Sequence, residues 1–380
     1  SYEETKRFKP LFIDYINQHP QLSTFYNRFT SKENFLDQIN EKQSNYNTEH
    51  RSILVNQIKE QYKQFDPSDL TKKHIQLLAE DNTFTITTGH QLNLFTGPLY
   101  TFYKIISVIN SCKVLSQTYP KYNFVPVFWL ASEDHDFEEI NHFHLHNKTL
   151  KWNRKTAGAV GELSTDGLSE VFEEFASVLP KGQSAGELKR LFQNAYLEHK
   201  DLSSASIYLY NALFGEQGLV IIEPNQRELK STLKPYIKKE LLSNTTFEQV
   251  SRTSSLLKDL GYHEQVTPRE INYFYLKDNL RKRLVFKDER FFVNETELSF
   301  SINDILKEID EHPERFSPNA LLRPLYQEVL LPNLSYVGGA GELAYWLQLK
   351  STFEAFNVTF PMLQMRNSVL LYSEKTKNKL

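Results

Sequence analysis

Cysteine is almost absent from this chain, since Cys112 is the only one among 380 residues. A single thiol excludes an intramolecular disulfide framework and favours a reducing compartment, so we expect a cytoplasmic protein. Long hydrophobic runs are also absent. None approaches the roughly 18 uninterrupted apolar residues that a bilayer span requires, which predicts that the chain does not enter a membrane.

A surplus of charge of one sign is missing too. The 44 basic and 47 acidic residues give a formal net charge of −3. A nucleic-acid-binding face needs a concentration of Lys and Arg, so we expect small-molecule partners and no nucleic acid. The first ten residues, SYEETKRFKP, have mixed charges and no apolar segment, so a secretory signal is not expected.

Strand and helix patterns alternate near both ends of the chain. The predicted strands are apolar or β-branched runs at 83–88, 123–131, 218–223, 358–364 and 368–372, and a helical pattern covers 342–356. This alternation is typical of an open, doubly wound α/β sheet with parallel strands.

The composition changes along the chain and suggests five parts. We expect a helical N-terminal segment at 1–80, the first half of the sheet core at 81–146, a mostly helical connective insertion at 147–215, the second half of the core with a further insertion at 216–335, and the end of the core at 336–380.

The segment TTGHQLNLFTGPLYTFYK, residues 87–104, joins a strand to a helix. Pro98 suits the first position of that helix, and Thr96 or Gly97 could cap it. Helix N-termini attract anions, so the segment predicts a phosphate or carboxylate site. Gly89, His90 and Gln91 precede the helix at the carboxyl end of the strand, and His90 could donate to a phosphate oxygen. The alternative is a well-capped core helix that binds nothing.

The run EDHDFEE, residues 133–139, places five carboxylates around His135 directly after a predicted buried strand. Neighbouring carboxylates can supply a general base or hold a divalent cation, and Asp134, His135 and Asp136 are the first candidates. The alternative is a solvated acidic turn. Its position at the ligand edge of the sheet favours a functional role.

Three histidines alternate in HFHLH, residues 142–146. In an extended strand His142, His144 and His146 share one face, which is an arrangement that could bind zinc. The exposed face of an edge strand gives the same pattern. No cysteine or clear fourth ligand accompanies them, so we assign no metal site to these residues.

The segment VGGAGELAYW, residues 337–346, matches the dinucleotide fingerprint at Gly339, Gly341 and Ala344. The following predicted strand lacks the acidic residue that this motif needs at its end, which argues against a nicotinamide dehydrogenase. The glycines could still let the backbone approach a ligand, and Glu342 could contact an amine. A tight turn before a core helix is the alternative.

Further candidates lie in SPNALLRPLYQEVLLP (317–332) and MRNS (365–368). Asn319 and Arg323 interrupt the apolar pattern of the first segment, and Arg366 with Ser368 follows a predicted strand in the second. A guanidinium suits carboxylate or phosphate groups, although either arginine could be structural.

With these residues in view, the chain resembles the bacillithiol-biosynthesis cysteine-adding enzyme family. The resemblance rests on four blocks in the family's order, namely TGHQLNLFTGPLYTFYK, VPVFWLASEDHDFEEINH, SPNALLRPLYQEVLLP and VGGAGELAYWLQLK. It implies a Rossmann-like nucleotide-binding core similar to class I aminoacyl-tRNA synthetases, with connective insertions. It also implies a C-terminal coiled coil that pairs subunits into a homodimer, which we expect to be missing from this chain.

The resemblance implies a ligase that joins the carboxylate of cysteine to the amine of glucosaminyl malate. A carboxylate acylates an amine only after it gains a better leaving group, so ATP is the expected activating cosubstrate, with Mg²⁺ beside it. The implied catalytic residues are His90, Asp134, His135 and Asp136. The implied nucleotide-binding residues are Gly89, Gln91, Thr96, Gly97, Arg366 and Ser368. The implied substrate-binding residues are Glu133, Asn319, Arg323, Gly339, Gly341 and Glu342.

Two other functions compete with the ligase. One is a metal-dependent hydrolase that activates water with the carboxylates and histidines of 133–146. The other is a nucleotide-binding interaction protein without turnover. ATP dependence and a cysteine-containing product would favour the ligase over both.

Overall fold

The computed structural model describes residues 2–145, 147–277 and 279–379. Its helices are α1 (Pro10–Ile16), α2 (Lys32–Asn45), α3 (Glu49–Tyr62), α4 (Asp69–Leu77), α5 (Tyr100–Thr118), α6 (Phe137–Ile140), α7 (Leu168–Val178), α8 (Gln183–Tyr196), α9 (Leu202–Phe214), α10 (Arg227–Ser231), α11 (Lys234–Ser243), α12 (Thr245–Asp259), α13 (Ile302–Glu311), α14 (Arg323–Leu330), α15 (Ala340–Trp346), α16 (Lys350–Ala355) and α17 (Glu374–Lys377). Its strands are β1 (Thr83–His90), β2 (Asn123–Leu130), β3 (His142–Leu145), β4 (Lys148–Lys151), β5 (Val220–Ile222), β6 (Tyr273–Lys277), β7 (Leu280–Lys287), β8 (Arg290–Val293), β9 (Ser299–Phe300), β10 (Phe316–Pro318), β11 (Asn333–Gly338) and β12 (Met362–Met365).

Five parallel strands form the central sheet, in the order β12-β11-β1-β2-β5. The register pairs Thr83 with Asn123 at one end of β1 and His90 with Leu130 at the other. The predicted α/β class with a parallel, doubly wound sheet is confirmed.

Helices cover both faces of this sheet, which explains why its strands are almost continuously apolar. On one face Ile105 and Ile109 of α5 pack with Phe128 and Leu130 of β2. On the other face Trp129 lies in a cluster with residues of α3 and α14. The sheet is therefore the middle layer of a three-layer core.

The chain order of the strands reverses between β1 and β11. From β1 the chain moves through α5 to β2 and later to β5, whereas from β11 it moves in the opposite direction to β12. Open α/β sheets bind ligands in the crevice outside the carboxyl ends of the strands at such a reversal. His90 is the last residue of β1 and Gly338 is the last residue of β11, so a ligand is expected at this edge of the sheet.

A second, antiparallel sheet has the order β10-β6-β7-β8-β9. Phe274 on β6 and Arg281 on β7 extend from it towards the carboxyl edge of the parallel sheet, where they line a cavity with residues that follow β2. The antiparallel sheet therefore supplies one wall of the cleft.

The structure agrees with the predicted elements at the N-terminal end of the chain and departs from them at the C-terminal end. Helices α1 to α4 occupy the predicted helical N-terminal segment, and Ser31 and Ser68 cap α2 and α4 by accepting from backbone N–H groups. The strand predicted at 358–364 begins later, at Met362, after Pro361. The strand predicted at 368–372 is wrong: these residues are exposed and pair with no strand among the described residues.

Within the described ranges, no helix is both long enough and apolar enough to cross a membrane.

Candidate active site

Two adjoining cavities open at the carboxyl edge of the parallel sheet. The Gly339 cavity, of about 620 Å³, is lined by Arg7, Phe8, Gly89, His90, Gln91, Tyr100, Trp129, Ala131, Arg323, Tyr336, Gly339, Ala340, Gly341, Glu342, Tyr345 and Arg366. The Asp134 cavity, of about 440 Å³, is lined by Trp129, Leu130, Ala131, Ser132, Glu133, Asp134, His135, Asp136, Pro224, Val266, Thr267, Phe274, Arg281, Pro318, Asn319, Ala320, Leu321, Arg323, Tyr326 and Tyr345. Both volumes are in the range of small-molecule sites.

Four residues belong to both cavities: Trp129, Ala131, Arg323 and Tyr345. Arg323 begins α14, and its Nη1 donates to Oε1 of Gln327 at 3.1 Å. Its guanidinium lies 5.6 Å from the centre of the Tyr336 ring. Arg323 therefore lies at the junction of the two cavities, where a ligand in one would contact a ligand in the other.

An ion pair joins Glu342, which lines the Gly339 cavity and is partly exposed, to the buried Lys104. Lys104 is 1% exposed, and its Nζ lies 2.8 Å from Oε1 of Glu342 and 2.6 Å from the carbonyl oxygen of Gly89. The pair links α5 to α15 and ties both to the end of β1. It thereby fixes the two glycine segments relative to each other.

Glu342 accepts two further hydrogen bonds that hold it as a carboxylate. The hydroxyl of Tyr336 donates to its Oε1 at 2.6 Å, and the backbone N–H of Gly339 donates to its Oε2 at 2.8 Å. Burial by itself raises the pKa of this carboxyl, but Lys104 and these donors outweigh burial and lower the pKa to about 2. The Gly339 N–H is therefore engaged by Glu342 and not free for a ligand.

His90 lies in the Gly339 cavity with its ring 5.3 Å from that of Tyr100. Burial and the nearby Lys104 lower the pKa of His90 to about 3. The imidazole is therefore neutral near pH 7, and it can donate through one nitrogen without carrying charge. Its Nε2 has no hydrogen-bond partner within the described part of the chain.

We predict that His90 stays neutral between pH 5 and 8 in the free protein, because protonation would place a cation beside Lys104 without solvent. Imidazole nitrogen chemical shifts, assigned by loss of the signal in His90→Gln, measure this directly. A titration midpoint near the ordinary histidine value of about 6.5 would contradict the prediction.

Arg366 completes the cationic side of the Gly339 cavity. Its guanidinium lies 4.9 Å from the centre of the Tyr100 ring, and its Nη1 donates to the carbonyl oxygen of Asn367 at 3.0 Å. Its buried Nε has no partner among the residues that the structure describes. Together with Arg7 and Arg323, it gives the cavity three guanidinium groups that suit an anionic ligand.

The Asp134 cavity carries the acidic run that follows β2. Oδ2 of Asp134 accepts from Nε2 of Gln91 at 3.1 Å, and this contact joins the acidic run to the segment after β1. Ligand atoms of Asp134, His135 and Asp136 lie within 4.8 Å of one another, so these residues could hold a metal ion. Nη1 of Arg281 already contacts Nδ1 of His135 at 2.6 Å, which leaves the two carboxylates as the more available ligands.

Glu133 differs from its acidic neighbours because it is buried and paired. Its Oε2 lies 2.9 Å from Nζ of Lys230, which is fully buried. This contact holds the Glu133 side chain against Lys230 in the cavity wall.

Asn319 lines the Asp134 cavity but also shapes its own turn. Its Oδ1 accepts from the backbone N–H of Leu321 at 2.9 Å, and its Nδ2 donates to Oδ1 of Asn272 at 3.0 Å. These bonds position the residues that lead into α14 and therefore Arg323.

Three of the candidate site residues lie outside both cavities: Thr96, Gly97 and Ser368. The predicted helix start is wrong, because α5 begins at Tyr100 after Leu99, and no side chain caps it. Thr96 and Gly97, with φ of 73° and 62°, end a short turn (Leu94–Thr96) that precedes α5, so neither residue caps this helix. Ser368 is exposed in the segment after β12.

Gly97 lines another cavity with His142 and His144, which shares Gln91 and Tyr100 with the Gly339 cavity. The alternation predicted for the histidine strand is present, since Phe143 is buried between these two more exposed residues. The described residues therefore do not join His142 and His144 to the Asp134 group in one ligand set. His146 lies outside the described residues.

Sequence reasoning missed Lys104, Tyr336, Tyr345 and Arg281. A signal for Lys104 was present, because a lysine stands one helical turn before Val108 on the buried face of α5. Arg281 gave no comparable signal, since it lies in LRKRLVFK among other cations of β7. Only the fold places it beside His135.

The parallel sheet and the joined cavities at its reversal point define an α/β protein of the Rossmann-like class. Residues 1–367 match the family model described as "Bacillithiol biosynthesis BshC, N-terminal Rossmann-like domain", so the chain belongs to this family. The resemblance inferred from the four sequence blocks is thereby confirmed.

Curated relatives agree with this assignment. A protein of Flavobacterium johnsoniae is 52% identical over 379 residues, covering 100% of this chain and 71% of the relative. One of Flavobacterium psychrophilum is 51% identical over 99% of this chain and 70% of its own length. One of Bacillus cytotoxicus is 29% identical over 94% of this chain and 68% of its own length. All three are named "Putative cysteine ligase BshC".

Proposed function

We propose that this chain is a ligase that joins the carboxylate of L-cysteine to the amine of glucosaminyl malate, with ATP activating the carboxylate. The family is one of bacillithiol biosynthesis, and the names of its relatives support a carbon–nitrogen ligase acting on cysteine. The observation that carries the proposal is the pair of cavities joined at Arg323, because amide formation must bring two substrates together.

The Gly339 cavity suits the activated carboxyl group. Arg323 and Arg366 present guanidinium groups there, and Glu342 on the same wall is paired with the buried Lys104. ATP, when bound, would supply the phosphate leaving group that turns a carboxylate into an acylating agent. The residues that would hold its phosphates are Arg323, Arg366 and the neutral His90, which can donate a hydrogen bond without repelling Lys104.

The Asp134 cavity suits the acceptor amine. Asp134 and Asp136 are partly exposed carboxylates on its wall and would attract an ammonium group to the junction with the Gly339 cavity. Arg281, which contacts His135 beside these aspartates, would contact the malate carboxylates of the acceptor. The same two aspartates fit the preference of Mg²⁺ for one or two carboxylates beside phosphate oxygens.

Arg323 serves both substrates in this proposal. It contacts the side of the junction where negative charge grows as the amine attacks the acyl carbon, and a fixed cation there stabilises the transition state. Trp129 and Tyr345 complete the wall and keep water from the activated acyl group.

The proposal is tested by incubating the protein with cysteine, ATP and glucosaminyl malate and detecting the amide by mass spectrometry. We expect a product that needs all three substrates. A parallel reaction with carboxyl-¹⁸O cysteine identifies the activated species, because the label moves to AMP after adenylation and to phosphate after phosphorylation.

Unchanged substrates, beside an active family member as positive control, would refute the ligase. Transition-metal content with ATP-independent hydrolysis would instead support the hydrolase, and ATP binding without any product would support the non-catalytic protein.

A further inference from the structure

A buried carboxyl group separates the Asp134 cavity from a third cavity behind it. The residue is Glu223, which is 5% exposed and directly follows β5. The third cavity, called the Ser203 cavity, has a volume of about 530 Å³ and is lined by Gln57, Glu60, Gln61, Gln64, Gly161, Glu162, Asp201, Ser203, Ser204, Ile207, Glu223, Asn225 and Gln226.

Glu223 is hydrogen-bonded towards both cavities. The hydroxyl of Ser132, which lines the Asp134 cavity, donates to its Oε1. The hydroxyl of Ser203, which lines the Ser203 cavity, donates to its Oε2. The backbone N–H of Asn225 also donates to Oε1, at 2.9 Å. A continuous chain of three exchangeable groups therefore crosses the wall of the cleft.

Gly161 keeps the two serines close to each other. A Cβ atom at this position would lie 2.4 Å from Oγ of Ser203 and 2.6 Å from Cβ of Ser132. Its backbone N–H donates to the carbonyl oxygen of Ser132 at 2.8 Å. Only a residue without a side chain leaves room for this arrangement.

The surroundings of Glu223 raise the pKa of its carboxyl group above the ordinary value. Burial raises the pKa of Glu223, the donors Ser132, Ser203 and Asn225 oppose this, and nearby Glu133 adds to it. The other titratable or charged groups around it are Tyr326 on the cleft side, Lys230 bonded to Asn225, and Glu60, Glu162 and Asp201 on the Ser203 cavity.

We propose that Ser132, Glu223 and Ser203 form a relay that carries the proton released during amide formation from the Asp134 cavity to the Ser203 cavity. The inference rests on the proposed ligase function. When the neutral amine attacks the activated acyl carbon, a C–N bond forms, the acyl C–O bond breaks, and the phosphate leaving group departs with the electron pair. The nitrogen then carries one proton too many.

The Ser132 hydroxyl accepts that proton and passes its own to Oε1 of Glu223. The carboxyl group then rotates so that its O–H faces Ser203. The Ser203 hydroxyl turns from donor to acceptor, takes this proton and releases its own to the water of the Ser203 cavity. Glu223 is thus a positioning residue that acts through Ser132, because it does not itself touch the substrates.

The test compares the wild-type protein with Glu223→Gln in steady-state ligase assays from pH 5 to 9. The carboxylate is the form that accepts the proton, so the wild-type kcat should rise as pH increases through the raised pKa of Glu223. In Glu223→Gln we expect this rise to vanish and kcat to fall by about 10-fold to 100-fold, with KM values unchanged within about twofold. Glu223→Asp should restore part of the pH-dependent rise.

A serine pair on α9 supplies the matched control. Ser203→Ala should lower kcat in the same direction as Glu223→Gln, whereas Ser206→Ala should not, because Ser206 only donates to the carbonyl oxygen of Leu202 in its own helix. If Glu223→Gln fails to fold, the comparison of Ser203→Ala with Ser206→Ala still tests the relay.

Two results would overturn the relay alone: an active wild type with an unchanged pH profile in Glu223→Gln, or equal kcat in Ser203→Ala and Ser206→Ala. Absence of amide from the wild-type protein would instead refute the ligase proposal, and the relay with it. Infrared difference spectra between wild type and Glu223→Gln give a separate readout, since a carbonyl band that does not change with pH would show that Glu223 never exchanges its proton.

Discussion

Replacing Lys104 with methionine is expected to lower the free energy of unfolding by about 2 to 4 kcal/mol. The methionine keeps most of the side-chain volume but leaves the Glu342 carboxylate and the Gly89 carbonyl oxygen without their shared donor. The loss stays below that of a fully buried pair, because Glu342 remains 30% exposed. Urea unfolding monitored by circular dichroism measures the change.

The pH dependence of this loss has a defined sign. Pairing lowers the pKa of Glu342 from 4.5 to about 2, so the ion pair stabilises the fold fully above the ordinary carboxyl pKa and less as pH falls towards 2. The difference between wild type and Lys104→Met should therefore shrink below about pH 4.5. The double variant Lys104→Met/Glu342→Gln should recover part of the stability at pH 7, since it removes the unpaired charge.

Lys151→Met is the matched control, because Lys151 pairs with Glu138 on the surface. A surface pair contributes about 0 to 1 kcal/mol, so this variant should stay close to wild type. Equal stability losses in Lys104→Met and Lys151→Met would show that the buried pair does not hold the two glycine segments.

Replacing Arg323 with methionine is expected to reduce kcat/KM for amide formation by about 100-fold to 1,000-fold. Arg323 is shared by both cavities, so its removal takes away a fixed cation where the substrates meet. Arg323→Lys should be intermediate, because lysine keeps the charge but lacks the planar fork that binds two oxygens.

The assay needs a control that removes an arginine elsewhere. Arg227 is half-exposed and pairs with Glu314 away from the two cavities, so Arg227→Met should retain wild-type activity. Thermal unfolding confirms that each variant is folded before its activity is compared. If kcat/KM for Arg323→Met lies within about threefold of the value for Arg227→Met, Arg323 does not contribute to catalysis.

The α/β class could be predicted from the sequence because strands that are buried on both faces consist almost entirely of apolar residues. NFVPVFWL corresponds to β2 and TFTITTGH to β1, and both lie inside the parallel sheet. The segment SVLLY has the same composition but remains exposed at 368–372. Apolar content alone cannot show whether a neighbouring strand exists to pair with it.

The acidic and glycine segments of the site were also visible in the sequence, because both follow predicted strands at the ligand edge. The structure brings Asp134 within 3.1 Å of Gln91 and joins their cavities through Arg323. Gly97 was misplaced because a Gly-Pro pair also suits a left-handed turn that precedes the helix by several residues. Partners that are distant in sequence, such as Arg281 and His135, depend on how the two sheets pack and leave no local pattern.

The central claim is that the two joined cavities hold the activated cysteine and its acceptor side by side. The most direct measurement is a crystal structure with a non-hydrolysable cysteinyl adenylate analogue and glucosaminyl malate. We predict the phosphate mimic beside His90, Arg323 and Arg366 and the acceptor amine beside Asp134, with the Arg323 guanidinium between them. Either ligand bound outside these two cavities, or both competing for the same one, would contradict the account.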